Sequence, residues 1–305
     1  MDLPVVKNKY YYPIVLKNEH LDPFRITPEI ELRKITKSER EEFFGLEDID
    51  FTFKAVPGFG YLGFNRFFRS QNKQGRYPYS RLVERGVFDG SNDILASNYV
   101  LIIECSGSPN YIIQRLNLSF KLFKPTSTGG YLGFREKETD VHLHYSMPIH
   151  GPFDYLSLTA ADLAEIQQVC ILIEDNQDND KFKLLADLYD RALQGGELGL
   201  DIRFLLLVIS LESLYLPAQG QELKFRLSIR AAKLLSKLGY GEAKDIFQKV
   251  NKIYNIRSKL VHAGKTKGLT SEIFSELTNI VRVSLVLYIK NPNDFSEDAL
   301  TTIVL

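Results

Sequence analysis

From residue 160 onward, apolar side chains recur every three or four positions, the period of a helix with one buried face. The pattern predicts helices over 160–175, 181–194, 201–216, 222–238, 242–262 and 270–290. Helix breakers separate them. Gly195 and Gly196 end the second, Pro217 and Gly220 part the third from the fourth, and Gly239 and Gly241 part the next pair. Gly264 and Gly268 follow the fifth, and Pro292 follows the last. Connections this short favour antiparallel neighbours in a bundle.

Before Pro152 the pattern is different. Segments 30–35 (IELRKI), 98–104 (NYVLIIE), 116–124 (LNLSFKLFK) and 141–145 (VHLHY) are short and rich in β-branched, aromatic and leucine residues. The last two alternate apolar with polar, as half-buried strands do. All four are predicted as strands, with one short helix over 36–42. The string GYLGF occurs at 60–64 and again at 130–134, and reads as two glycine-permitted bends with aromatic anchors. The expected fold is therefore α+β. A β-rich domain over 1–152 is followed by an all-α helical bundle over 153–305.

The expected helix 242–262 places its apolar ridge on Ile246, Val250, Ile253 and Leu260. At about 100° per residue, Arg257 falls on that same ridge. A guanidinium facing a bundle interior requires a partner or a wet cleft. One reading is a salt bridge with the stem buried and the head in water. The expected helix 201–216 is apolar nearly all round after Arg203, which marks it as the central buried helix. Glu212 lies in register there with Ile202, Leu205 and Ile209. Arg257, Arg226 and Arg230 are its candidate partners. His262 closes the helix of Arg257 five residues on, roughly 140° around an ideal helix. Gly264 suits a helix end, and a frayed last turn would bring the imidazole round. A histidine at a helix C-terminus also has a purely structural use, since the helix dipole favours its protonated form.

The string at 254–264 (YNIRSKLVHAG) resembles the motif of ApeA-like HEPN domains: arginine, a polar residue, three more residues, then histidine. Here those positions are Arg257, Ser258 and His262. The preceding segments at 205–216 (LLLVISLESLYL) and 222–235 (ELKFRLSIRAAKLL) are similar to the family's in the same order. The resemblance covers roughly 160–290. It implies a HEPN-type bundle that pairs as a homodimer and cuts RNA without a metal, using the 2′-hydroxyl as nucleophile to leave a 2′,3′-cyclic phosphate. Arg257 and His262 are then the catalytic residues, with Ser258 in support; Glu212 and Arg230 are added as supporting residues from the burial pattern above, not from the resemblance. The implied setting is a prokaryotic antiphage or toxin system in the cytoplasm, with the β-rich half sensing a phage or host trigger. Some HEPN domains serve as scaffolds or bind ligands without cleaving RNA, and that is the alternative.

Composition constrains this picture less than the motif does. Lys+Arg and Asp+Glu both number 38, so the whole chain is not a basic nucleic-acid binder. Arg66, Arg69, Lys73 and Arg76, interleaved with Phe67, Phe68 and Tyr77, form a candidate RNA-binding stretch. Two distant cysteines, Cys105 and Cys170, make neither a disulfide framework nor a zinc pattern. Residues 58–63 fit G-x-G-x-x-G, but Phe64, Asn65 and Arg66 do not announce the helix a dinucleotide site needs. His142 and His144 share a strand face near His150 without completing a metal set. No cofactor, no metal and no membrane span is expected.

Overall fold

The computed structural model describes residues 8–14, 16, 18, 20–36, 38–39, 99–125, 132–135, 141–143, 157–193, 198–218, 221–264 and 266–304. Among them the chain is α+β, a small antiparallel sheet followed by a helical region. Contacts divide the chain into two compact units. One holds residues 1–114, 127–148 and 155–167, and the other holds 115–126, 149–154 and 168–305.

The first unit is built on strands β1 (Asn8–Ile14), β2 (Phe24–Thr27), β3 (Ile30–Lys34), β4 (Tyr99–Cys105), β5 (Leu132–Arg135) and β6 (Val141–Leu143). They lie in the order β2-β3-β4-β1-β5-β6, each antiparallel to its neighbours. β4 is central, with Ile103 opposite Tyr10 on one side and Ile30 on the other. Tyr99 to Ile103 are buried without a break, so both faces of this strand are covered. Tyr10, Tyr11 and Tyr12 of β1 are buried in the same manner. That is why β1 shows no alternation in the sequence.

Segment 116–124 is not a strand. It belongs to a helix, α1 (Asn110–Phe123). The alternation there misled because Ser119 and Lys121, polar positions at its centre, do not face water. Arg115, Ser119 and Lys121 are buried. Arg115 pairs with Glu174, Lys121 pairs with Asp190, and Ser119 donates back to the Arg115 carbonyl. The last carbonyls of α1 also find side-chain donors. Tyr189 donates to Lys121 O, and Arg282 donates to Leu122 O and Phe123 O at 3.0 and 2.8 Å.

The remaining helices are α2 (Ala160–Asp175), α3 (Asp180–Leu193), α4 (Leu200–Tyr215), α5 (Leu223–Lys237), α6 (Ala243–Ala263), α7 (Ser271–Lys290) and a short α8 (Glu297–Thr302). In the second unit α4 buries Phe204, Leu207, Val208, Leu211 and Leu214 against α3 and α7. α5 and α6 pack together as a hairpin, and Val250 and Ile253 of α6 enter the same core. No helix among the described residues is long and apolar enough to cross a membrane.

Candidate functional site

The ridge Ile246, Val250, Ile253 of α6 is buried, and Arg257 continues it. Its guanidinium is half-buried and turned to α4. Nε stands 3.2 Å from Glu212 Oε1, and Nη2 donates to Oε2 at 3.5 Å. Of the three arginines that could have answered Glu212, this is the one that does. The Tyr254 ring lies 5.7 Å from the guanidinium, one turn back on the same helix. Burial raises the Glu212 carboxyl pKa, and Arg257 opposes that shift without cancelling it. The pair is therefore held in a partly dry setting, where its charges are poorly screened. No residue among those described hydrogen-bonds with Nη1 of Arg257, and the side chain as a whole is 26 % exposed.

His262 lies in the last turn, exposed, with no side-chain hydrogen bond or ion pair among the described residues. The expected fraying is absent. α6 stays helical through Ala263, and Gly264 caps it at φ 59° with its N–H on the Leu260 carbonyl. Five regular residues then separate Arg257 from His262 by roughly 140° and about 7.5 Å along the axis. One chain does not aim the two at a single phosphate. Ser258 is half-buried and makes no side-chain hydrogen bond among the described residues.

Arg230 is committed away from Arg257. It is buried and donates to Tyr215 O at 3.0 Å, to Thr301 Oγ1 at 3.1 Å and to both carboxylate oxygens of Glu297. Arg226 shares that carboxylate at 2.9 Å. Together they fasten α8 to α5 and to the end of α4. Arg230→Ala is expected to lower the unfolding free energy by about 2–3 kcal/mol, at or just below the range for a broken buried pair because Glu297 can rehydrate. Urea unfolding of the full chain measures it, and a change within about 0.5 kcal/mol would assign this latch no stabilising role.

Sequence reasoning took α4 for a helix buried all round. One stripe of it is open instead. Ile202 is 44 % exposed and Ile209 47 %, with Leu205 and Leu206 half-buried beside them. The stripe leads along α4 to Glu212. On α6, Tyr254 and the half-exposed Val261 flank Arg257. The ion pair thus sits in an uncovered apolar surface, which hydrophobicity alone could not separate from core.

Arg66, Arg69, Lys73 and Arg76 lie outside the described residues, as do the first GYLGF string, the G-x-G-x-x-G segment, His144 and His150. The second GYLGF string was expected to bend, but its Leu132, Gly133 and Phe134 belong to β5 and pair with β6. No group of three or more His, Cys, Asp or Glu that could hold a metal occurs among the described residues. Cys105 and Cys170 are not joined in a disulfide. Comparison with protein-family models, with curated proteins and with solved structures finds no significant match to this chain.

Proposed function

We propose that this protein is a metal-independent endoribonuclease that works as a homodimer through its helical unit. The observation that carries the reading is the placing of Arg257: on the core ridge of α6, steered by Glu212, with no described residue hydrogen-bonded to Nη1, beside an exposed apolar stripe. A planar guanidinium so fixed is suited to a phosphate bearing extra negative charge. His262, exposed and unengaged, is suited to take up and release a proton.

In the proposed reaction the RNA 2′-oxygen attacks the adjacent phosphorus. An O2′–P bond forms and the P–O5′ bond breaks. The His262 imidazole takes the 2′-hydroxyl proton, a water protonates the departing O5′, and Arg257 neutralises the phosphorane. The divergence of Arg257 from His262 requires two copies of the chain, because a second copy seated on the α4 stripe can bring its own His262 to the first copy's Arg257. Exposed apolar stripes of this kind mark interaction surfaces in soluble proteins.

The test is RNA cleavage by the full chain in EDTA, with the product ends identified. Cleavage undiminished by the chelator, leaving 2′,3′-cyclic phosphate and 5′-hydroxyl ends, is expected. Ends with a 3′-hydroxyl and 5′-phosphate, or activity lost to EDTA, would overturn the mechanism. A binding scaffold is the second reading, favoured by the divergence of Arg257 and His262 within one helix, and it predicts no cleavage at all.

A further inference from the structure

Neutrality of the whole chain hides a strong local imbalance. The hairpin from α5 to α6, residues 223–263, carries ten Lys or Arg against two acids, Glu242 and Asp245, an excess of eight positive charges. Four of the ten are engaged: Arg226 and Arg230 by Glu297, Lys249 by Glu276 and Arg257 by Glu212. The other six are exposed lysines without a carboxylate partner among the described residues. Such a surplus is costly in self-repulsion unless a polyanion offsets it.

Three of these lysines form a row on α6. Lys244, Lys252, Asn255, Lys259 and His262 succeed one another at helical spacings along the side opposite the buried ridge. The row runs about 27 Å and ends on the histidine proposed to move protons. Lys224 of α5 joins it, with Nζ 3.4 Å from Asn255 Oδ1. Next to Lys224 stands Phe225, 51 % exposed, its ring held edge-on by Phe247 at 6.1 Å. A half-exposed ring fixed by a second ring is a platform for a nucleobase, and cations beside such a platform track a backbone. Only unpaired bases offer the open face this requires.

We propose that the outer face of this hairpin is the track along which single-stranded RNA runs to His262, with phosphates on Lys244, Lys252 and Lys259 and a base on Phe225. The assignment of RNA rests on the nuclease reading above. The charge and stacking argument stands apart from it.

A fluorescent 2′-O-methyl oligouridylate, which cannot be cut at its blocked 2′-oxygen, measures binding to the full chain as salt is varied. Replacing Lys244, Lys252 and Lys259 together by alanine is expected to weaken binding at least about 10-fold and to flatten the slope of log affinity against log salt by about 2. Phe225→Ala is expected to weaken it about 5- to 100-fold. Lys183→Ala and Lys290→Ala, on α3 and α7, serve as controls expected to bind like the wild type. An unchanged slope in the triple variant overturns the track, and duplex RNA competing as well as the single strand overturns the choice of strand. Binding as expected without cleavage under any condition keeps the track and removes the nuclease. Cleavage dependent on Arg257 and His262, with the lysine variants binding normally, does the reverse.

Discussion

Replacing His262 by alanine is expected to lower RNA cleavage about 10²- to 10⁴-fold, the range a positioned acid–base group contributes. The fold should not notice. His262 is exposed and makes no side-chain hydrogen bond or ion pair among the described residues, so its loss is expected to move stability by less than about 0.5 kcal/mol. Arg257 is a less clean target, because alanine there also strips half-buried Glu212 of its partner. Arg257→Lys separates the two effects. It keeps a positive charge near Glu212 but loses the planar fork, so cleavage is expected to fall steeply while urea unfolding changes little. Cleavage of each variant within a few-fold of wild type, with matched stability, would move the chemistry elsewhere on the molecule.

The six long helices after residue 157 were legible because their apolar period is strong and glycine or proline marks most of their ends. Each runs within a residue or two of the expected bounds. Errors arose where burial did not follow polarity. α1 buries Arg115 and Lys121 in ion pairs, so its alternating pattern imitated a strand. β1 covers both faces and showed no pattern at all. α4 had the opposite trouble, with an open apolar stripe that reads in sequence like core.

Legibility at the candidate site follows the same division. Register shows which face a residue occupies. It put Arg257 on the ridge of α6 and Glu212 in line with Ile202, Leu205 and Ile209, the stripe that α4 leaves partly open. It does not say which neighbour meets that face. Arg257, Arg226 and Arg230 were equivalent candidates for Glu212, and only the packing of α5 and α8 sends the latter two to Glu297. The His262 rotamer was expected to profit from fraying, but the left-handed Gly264 cap keeps the last turn regular. The basic hairpin was legible in principle. Charge counted over the whole chain concealed it, whereas charge counted per element reveals it.

Ile202→Glu combined with Ile209→Glu is expected to leave a folded monomer that no longer cleaves RNA. Both side chains are nearly half exposed in the single chain, so glutamate meets water there and the core is untouched. In a two-fold pairing the same stripe faces its own copy, and each new carboxylate is then buried near another. That combines charge desolvation with like-charge repulsion, against the loss of roughly 1.5–3 kcal/mol for each buried isoleucine. Light scattering gives the mass and the EDTA assay gives the cleavage. A wild type that cuts while monomeric, or a monomeric variant that cuts equally well, would remove the second copy from the reaction. Mixing supplies the sharper version. Arg257→Ala and His262→Ala chains are each inactive alone, yet a mixed dimer retains one Arg257 and one His262 on different chains. If the site is composite, exchange of the two inactive proteins restores cleavage to about a quarter of the wild-type level, half the dimers being mixed and each holding one intact site of two. If Arg257 and His262 must act from the same chain, no mixture recovers activity.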